Sequence, residues 1–143
     1  MLSKKQAKIF FLGGTVVFFG LFLALSYETI TASIPEKTNA DEITDLVVQG
    51  KHIWESNNCM GCHTILGEGA YYAPELTKVY TRKGESYIKT VLMAEQPWQP
   101  RGRKMVAYNM SEDDADAVVA FFKWIDRMDL NGFPPEPDPT LKP

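Results

Sequence analysis

Two cysteines and a histidine stand at a spacing that suits covalent haem attachment. The stretch reads Cys59-Met60-Gly61-Cys62-His63. In the C-x-x-C-H pattern the two thiols form thioethers with the vinyl groups of a haem, and the adjacent imidazole ligates its iron. The stretch uses both cysteines of the chain and one of its two histidines, so no thiol remains for a disulfide. The sequence therefore predicts one covalent haem c, with Cys59 and Cys62 as attachment points and His63 as an axial ligand.

Two other chemistries could use the same residues. A structural zinc ion needs four ligands, and the chain offers only Cys59, Cys62, His63 and the distant His52. A redox-active C-x-x-C pair is typical of a βαβ setting, whereas the flanks here indicate a helix before the motif and an irregular loop after it. His52 is also a weaker candidate for a second iron ligand, because it lies off the apolar stripe of that helix. Haem fits the residues best.

An uncharged run from Ile9 to Tyr27 precedes the motif. At about 1.5 Å per helical residue, such a run crosses most of a hydrocarbon core of roughly 30 Å. A cleaved signal peptide is the alternative, with Ala24-Leu25-Ser26 as a tolerable cleavage site. The run is longer than the usual apolar region of a signal peptide, which favours a retained transmembrane anchor.

Charge is distributed unevenly about this run. Lys4, Lys5 and Lys8 precede it without an acidic residue, and Glu28 begins an acidic stretch after it. By the positive-inside rule this pattern predicts a cytoplasmic N-terminus and a periplasmic domain. The whole chain has fifteen Lys and Arg against eighteen Asp and Glu, so the outer part is acidic. This argues against nucleic acid and favours a soluble partner that docks through a basic rim or an apolar patch.

The length after the anchor suffices for one small domain, and the expected fold class is mainly α. The predicted segments are a cytoplasmic N-terminus (1–8), a transmembrane anchor (9–27), a periplasmic linker (28–40), a haem domain (41–132) and an extended Pro-rich tail (133–143).

Apolar periodicity predicts three helices in the haem domain. The first leads into the motif from a T-x-x-D start signal at Thr38 and Asp41, and Gly50 in its apolar stripe indicates close approach by another helix. The second spans about 84–95. The third begins at Ser111, whose S-x-x-D cap precedes a broad face rich in aromatic residues. No segment has a convincing strand pattern.

This order of features resembles the class I cytochrome c fold. The resemblance becomes specific after the motif, where residues 66–76 read LGEGAYYAPEL. With the W-x-x-x-x-C-x-x-C-H lead from Trp54 and the single anchor, the chain is similar along nearly its whole length to the cytochrome c subunit of bacterial nitric oxide reductase. The C-x-x-C-H motif alone would indicate only a c-type haem.

The resemblance also assigns the other contacts of the iron ligands. In class I cytochromes a P-x-L segment supplies the carbonyl that fixes the proximal imidazole, which points to Pro74. A thioether as sixth ligand raises the potential of the iron and suits an electron carrier, and the M-x-x-Y-x-x-S pattern before the last helix gives this role to Met105. Met110 directly precedes the Ser111 cap, where an apolar residue often packs as a hydrophobic staple. It is therefore the weaker candidate.

Four side chains around the Met105 loop are candidates for contact with the haem. Arg101 and Arg103 are placed to neutralise the propionates by charge-assisted hydrogen bonds, although a solvated loop is an equal alternative. Trp98 and Tyr108 are candidates to line the haem or to fill the core.

The family resemblance implies a calcium site at the junction with the catalytic subunit. It points to Gly69 and Tyr71 as contributors. Backbone carbonyls are good calcium ligands, but the single carboxylate of Glu68 makes no calcium cage. The residues by themselves therefore support only part of such a site.

The function implied by the resemblance is electron transfer within nitric oxide reductase. The chain would accept electrons from a soluble periplasmic cytochrome c or cupredoxin. It would pass them to a large multi-span catalytic subunit whose haem and non-haem iron reduce two nitric oxide molecules to nitrous oxide and water. The expected location is the bacterial inner membrane, with the anchor in lipid. The alternatives are a free-standing membrane-anchored shuttle to a terminal oxidase and a haem-based gas sensor.

Overall fold

The computed structural model describes residues 3–135, apart from the side chains of Pro100 and Arg101. The described chain is mainly helical, so the predicted fold class is confirmed. It divides into two compact units between Lys37 and Thr38. Most of the predicted Pro-rich tail, from residue 136 onward, lies outside the described residues.

The first unit is one long helical segment. Helix α1 spans Lys4–Glu28 and begins with a capping box, in which Ser3 Oγ accepts a hydrogen bond from Gln6 N at 3.3 Å and Gln6 Oε1 accepts one from Ser3 N at 2.9 Å. A π-helical turn, Thr29–Ser33, and helix α2, Ile34–Thr38, continue it. No residue of α1 is buried. In the described chain this is the one segment long and apolar enough to cross a membrane, with a mean hydropathy of 2.3.

This helix extends beyond the predicted anchor. The sequence predicts a span of 9–27 with a linker at 28–40, yet the helical segment runs from Lys4 to Thr38. The π-helical turn lies directly before α2, which contains Pro35. Because proline cannot donate a backbone hydrogen bond to the preceding turn, a local change of helical winding lets the helix continue past it.

Two helices form the centre of the second unit. Helix α3 spans Asp45–Ser56, and helix α6 spans Glu112–Asp126 with the predicted cap, since Ser111 Oγ accepts a hydrogen bond from the third backbone N–H. They cross at Gly50, where an added Cβ would lie 2.0 Å from the carbonyl oxygen of Ala117. The predicted close approach is confirmed, and only glycine fits at this point.

The predicted start of α3 at Thr38 and Asp41 is wrong. Asn39 has a left-handed backbone with φ of 49°, a 3-10 turn follows it, and Thr44 caps α3 through its side chain. Asn39 is held by the far end of α6, because its carbonyl accepts a hydrogen bond from Trp124 Nε1 at 3.2 Å. This tertiary contact overrides the local start signal.

Shorter elements complete the second unit. They are strands β1 (Thr64–Ile65) and β2 (Glu68–Gly69), helices α4 (Val79–Lys83) and α5 (Glu85–Leu92), and strands β3 (Trp98–Arg101) and β4 (Arg103–Met105). Each pair of strands forms an antiparallel hairpin. The expectation of no strand is therefore wrong, because segments of two to four residues are too short to show an alternating pattern.

An aromatic cluster joins α3 to α6 in the core. Trp54 packs edge-on against Phe122 with ring centroids 5.6 Å apart, and its ring centre lies 6.4 Å from that of Phe121. All three side chains are buried. This cluster also carries the wall against which the haem motif lies, since the centre of the His63 ring is 6.3 Å from that of Trp54.

Candidate haem site

A cavity of about 800 Å³ opens beside the C-x-x-C-H motif. Its wall is largely apolar and comes from α3, α4, α5 and α6. The apolar wall residues are Ile53, Trp54, Leu76, Val79, Ile88, Val91, Leu92, Val118 and Phe122. A space of this size with an apolar wall suits a large flat macrocycle.

The motif folds as a tight turn at the edge of this cavity. Asn58 has a left-handed backbone with φ of 51° and starts a 3-10 turn over Cys59–Gly61. The turn is closed by the amides of Cys62 and His63, which donate to the carbonyl of Cys59 at 3.1 and 2.9 Å. Both thiols are free, and both cysteines and His63 line the cavity. The turn thus places two attachment points and one metal ligand on the same wall.

The His63 ring is fixed by a backbone carbonyl. Its Nδ1 lies 2.7 Å from the carbonyl oxygen of Pro74, the residue that the P-x-L segment indicates. With a proton on Nδ1 donated to that carbonyl, Nε2 keeps its lone pair for a metal. Burial lowers the pKa of His63 below the ordinary 6.5, while the Pro74 hydrogen bond acts in the opposite direction. The neutral, metal-binding form is therefore favoured.

Two methionines line the cavity. Met105 ends β4 and is half-buried, and Met110 lies just before the α6 cap. The backbone N–H of Met110 donates to the carbonyl of Leu92 at 3.1 Å, which fixes its main chain. The structure brings both side chains to the site, so Met105 as the sixth ligand stays a prediction.

The two predicted arginines have different outcomes. The backbone of Arg101 belongs to β3, but its side chain lies outside the described structure. Arg103 Nη1 donates hydrogen bonds to the carbonyl of Tyr71, at 3.2 Å, and to that of Tyr72. Contact of either arginine with propionates stays a prediction.

Other side chains of the wall suit a group with acceptor atoms. Trp98 and Tyr108 both line the cavity. The indole nitrogens of Trp54 and Trp98 are buried and have no hydrogen-bond partner within the described part of the chain. An unpaired buried donor is costly, so two of them beside one apolar cavity suit a bound macrocycle that carries carboxylates. The residues present therefore fit haem.

Sequence reasoning misses two basic residues of the wall, Arg82 and Lys83. They end the short helix α4, which is too short to show a periodic pattern. Arg82 Nη2 donates to the carbonyl of Glu75, and Lys83 Nζ lies 5.3 Å from the centre of the Tyr87 ring. Only the tertiary fold brings these cations to the cavity, and no local signal could have identified them.

The zinc and dithiol alternatives find no support in the geometry. His52 is exposed and lies 3.8 Å from a carboxylate oxygen of Glu55 on its own helix. Among residues 3–135, no group of three or more His, Cys, Asp and Glu side chains is arranged to hold a metal ion. The motif is preceded by α3 and followed by an antiparallel hairpin, which is not the βαβ setting of a redox-active dithiol.

The loop predicted to contribute to a calcium site has a defined backbone. Leu66 and Gly67, with φ of 53° and 83°, form the two-residue turn between β1 and β2. Gly69 follows, and an added Cβ there would lie 2.2 Å from the carbonyl oxygen of His63. The Tyr71 side chain is 79% exposed. The calcium role of Gly69 and Tyr71 stays a prediction.

The thiol pair at the mouth of an apolar cavity, the carbonyl-fixed imidazole and the neighbouring methionines define a c-type cytochrome. Residues 47–126 match the cytochrome c family model. The chain is 46% identical to the cytochrome c subunit of nitric oxide reductase from Stutzerimonas stutzeri, across 93% of this chain and 94% of that protein. It is 38% identical to the corresponding protein of Halomonas halodenitrificans, across 95% and 96%, and 34% identical to that of Paracoccus denitrificans, across 94% and 95%. The chain belongs to this nitric oxide reductase family of c-type cytochromes, which confirms the predicted resemblance.

Proposed function

We propose that this chain is the electron-entry subunit of a nitric oxide reductase. It accepts one electron at a time from a soluble periplasmic cytochrome c or cupredoxin and passes it to a multi-span catalytic subunit. That partner reduces two nitric oxide molecules to nitrous oxide and water. The observation that carries the proposal is the cavity beside the C-x-x-C-H turn, in a chain that belongs to the nitric oxide reductase cytochrome family.

The chain's own residues hold and tune the haem, and the bound haem supplies the one-electron redox chemistry. Cys59 and Cys62 form the two thioether links. His63 and Met105 are the axial ligands, and the Pro74 carbonyl keeps the imidazole in the tautomer that binds iron. A methionine thioether raises the potential of the iron, which suits a carrier. The apolar wall limits water at the site.

The partner subunit, rather than this chain, carries out the N–N bond formation. The chain has two histidines, one of them committed to the motif and the other exposed. A second iron would need its own ligand set. A contribution to a calcium ion at the subunit junction comes from backbone carbonyls at Gly69 and Tyr71, with further ligands from the partner.

Donor-driven nitric oxide consumption tests this function. The variant replaces Cys59 and Cys62 with alanine in the intact complex, and immunoblotting checks that the partner subunit still accumulates. The matched control is Met60→Leu, since Met60 lies between the two cysteines but is exposed and outside the cavity wall. We expect loss of donor-driven turnover in the double variant and normal turnover in the control. Full turnover without the covalent haem would overturn the electron-entry role.

A further inference from the structure

We propose that Arg103 is a positioning residue that ties the strand carrying Met105 to the loop that fixes His63. The proximal loop is defined as residues 70–74. The inference rests on the proposed function, because it takes Met105 as the axial ligand. It assigns Arg103 a role other than contact with propionates.

The proximal loop is bonded to the haem motif on one side. The amide of Ala70 donates to the carbonyl of Met60 at 3.0 Å, and the amide of Ala73 donates to that of Cys62 at 2.8 Å. The carbonyl of Pro74 holds His63 Nδ1 at 2.7 Å. These contacts fix the loop to the attachment turn and orient the imidazole.

Arg103 grips the same loop from the other side. Its Nη1 donates to the carbonyls of Tyr71 and Tyr72, and its guanidinium carbon lies 5.4 Å from the centre of the Tyr72 ring. Charge-assisted hydrogen bonds are among the stronger ones, and the guanidinium also stacks on the ring. All of these contacts fall on two adjacent residues, and the planar guanidinium makes them in a geometry that lysine cannot reproduce.

The hairpin that carries Met105 needs such an attachment. It consists of β3 and β4 alone, and its tip is Gly102, with φ of 85°. An isolated two-stranded hairpin is marginally stable in water. Among the described residues, the side-chain hydrogen bonds that join this hairpin to other parts of the chain are those of Arg103.

The register connects Arg103 directly to the methionine. Arg103 and Met105 stand two residues apart on β4, so their side chains leave the same face of the strand, and both line the cavity. Met105 is paired across the hairpin with Trp98. Holding Arg103 on the proximal loop therefore holds Met105 at the cavity against thermal opening of the hairpin.

The experiment uses the full-length chain with its covalent haem, produced without a partner subunit and purified in detergent. The variants are Arg103→Gln and Arg103→Lys, and the control is Lys104→Gln, which removes a neighbouring exposed charge that makes no hydrogen bond or ion pair within the described chain. Two readouts are measured: the far-red sulfur-to-iron band of the oxidised haem, and the rate of carbon monoxide binding to the reduced haem.

We expect both Arg103 variants to lose intensity in the far-red band and to bind carbon monoxide faster, on the order of tenfold for Arg103→Gln. The Lys104→Gln control should match the wild type. Wild-type behaviour in both Arg103 variants would overturn the proposal. Loss in Arg103→Gln with full retention in Arg103→Lys would also overturn it, because charge rather than guanidinium geometry would then be responsible. A far-red band that survives in Met105→Leu would instead disprove the ligand assignment of the proposed function.

Discussion

At the scale of single residues, the site follows from short-range chemistry wherever its parts are close in sequence. The two thiols and the imidazole lie within one turn, and the carbonyl that fixes the imidazole is eleven residues further on. Such contacts are predictable because the loop between them is short. The sixth ligand is different, since Met105 and Met110 both reach the cavity.

Replacement of each methionine decides between them. Met105→Leu should abolish the far-red sulfur-to-iron band, because leucine has no thioether to donate to iron. Met110→Leu should retain the band, because it keeps an apolar side chain before the α6 cap. The measurement is the absorbance spectrum of the oxidised holoprotein. The reverse pattern would give the ligand role to Met110.

Basic residues at the cavity cannot be assigned from the sequence in the same way. The sequence predicts that Arg103 faces propionates, and its Nη1 instead donates to two backbone carbonyls 31 and 32 residues earlier in the chain. Arg82 and Lys83 are not predicted at all. A long flexible cation takes its partner from the tertiary fold, so sequence position alone does not identify that partner.

At the scale of elements, the crossing of α3 and α6 holds the second unit together. A methyl group at position 50 would lie 2.0 Å from the Ala117 carbonyl oxygen and 2.8 Å from Phe121 Cβ. Neither atom can move away without shifting α6, which carries the aromatic wall of the cavity.

Gly50→Ala should therefore destabilise the protein although alanine is the better helix former. Overpacking of a core costs about 1–3 kcal/mol in the free energy of unfolding, whereas the gain in helix propensity is about 1 kcal/mol. We expect a net loss in urea denaturation of the holoprotein. Gln49→Ala is the control, because Gln49 is an exposed residue of the same helix and should show little change. Equal midpoints for the two variants would contradict the close approach.

An ion pair between α5 and α6 makes stability depend on pH. Lys89 Nζ contacts a carboxylate oxygen of Asp116 and lies 3.4 Å from one of Glu85. The hydrogen bond to Asp116 is the main cause that raises the pKa of Lys89 above its ordinary 10.5. A folded-state pKa above the unfolded one means that the stabilisation is complete below pH 10.5 and is lost as the pH rises through the folded-state value.

Asp116→Asn should consequently lower the urea midpoint near neutral pH, and the difference from the wild type should shrink above pH 10.5. The control is Asp113→Asn, in the first turn of α6, whose effect on the helix dipole does not depend on lysine titration. Midpoints are measured from about pH 7 to about pH 11, a range that brackets the ordinary lysine pKa. A difference that stays constant for Asp116→Asn over this range would show that Lys89 is not its partner.

Several elements are predictable, and others are not, for distinct physical reasons. The α6 cap at Ser111 and the Gly50 contact follow from local rules of helix capping and packing. The start of α3 does not follow, because the contact of Trp124 with Asn39 displaces it to Thr44. The short hairpins are formed by turn residues and tertiary contacts rather than by strand propensity.

At the scale of the whole molecule, the chain joins a haem-binding unit to one apolar helix. Tethering a carrier to the surface of a membrane raises its effective concentration near an enzyme in the same membrane. An acidic outer domain adds little attraction to anionic lipid. A fixed complex is therefore the better use of this architecture than a diffusing shuttle.

Co-purification with a catalytic subunit follows from this proposal. Affinity purification through a tag on this chain should yield a multi-span haem and non-haem iron subunit in stoichiometric amount, measured by mass analysis of the detergent extract. Several different oxidases at low occupancy would instead favour the shuttle.

The orientation of the chain is the last prediction. Lys4, Lys5 and Lys8 precede the apolar run without an acidic residue, so the N-terminus should remain in the cytoplasm and the haem domain should face the periplasm. Protease added to spheroplasts should remove the haem domain and leave an N-terminal tag protected, and disruption of the membrane should expose the tag. The intact holoprotein should also resist a high-salt wash and require detergent, because α1 exposes apolar side chains around its whole circumference. Release of the haem protein by salt alone would show that the apolar run is cleaved as a signal peptide, and protection of the haem domain in spheroplasts would reverse the orientation.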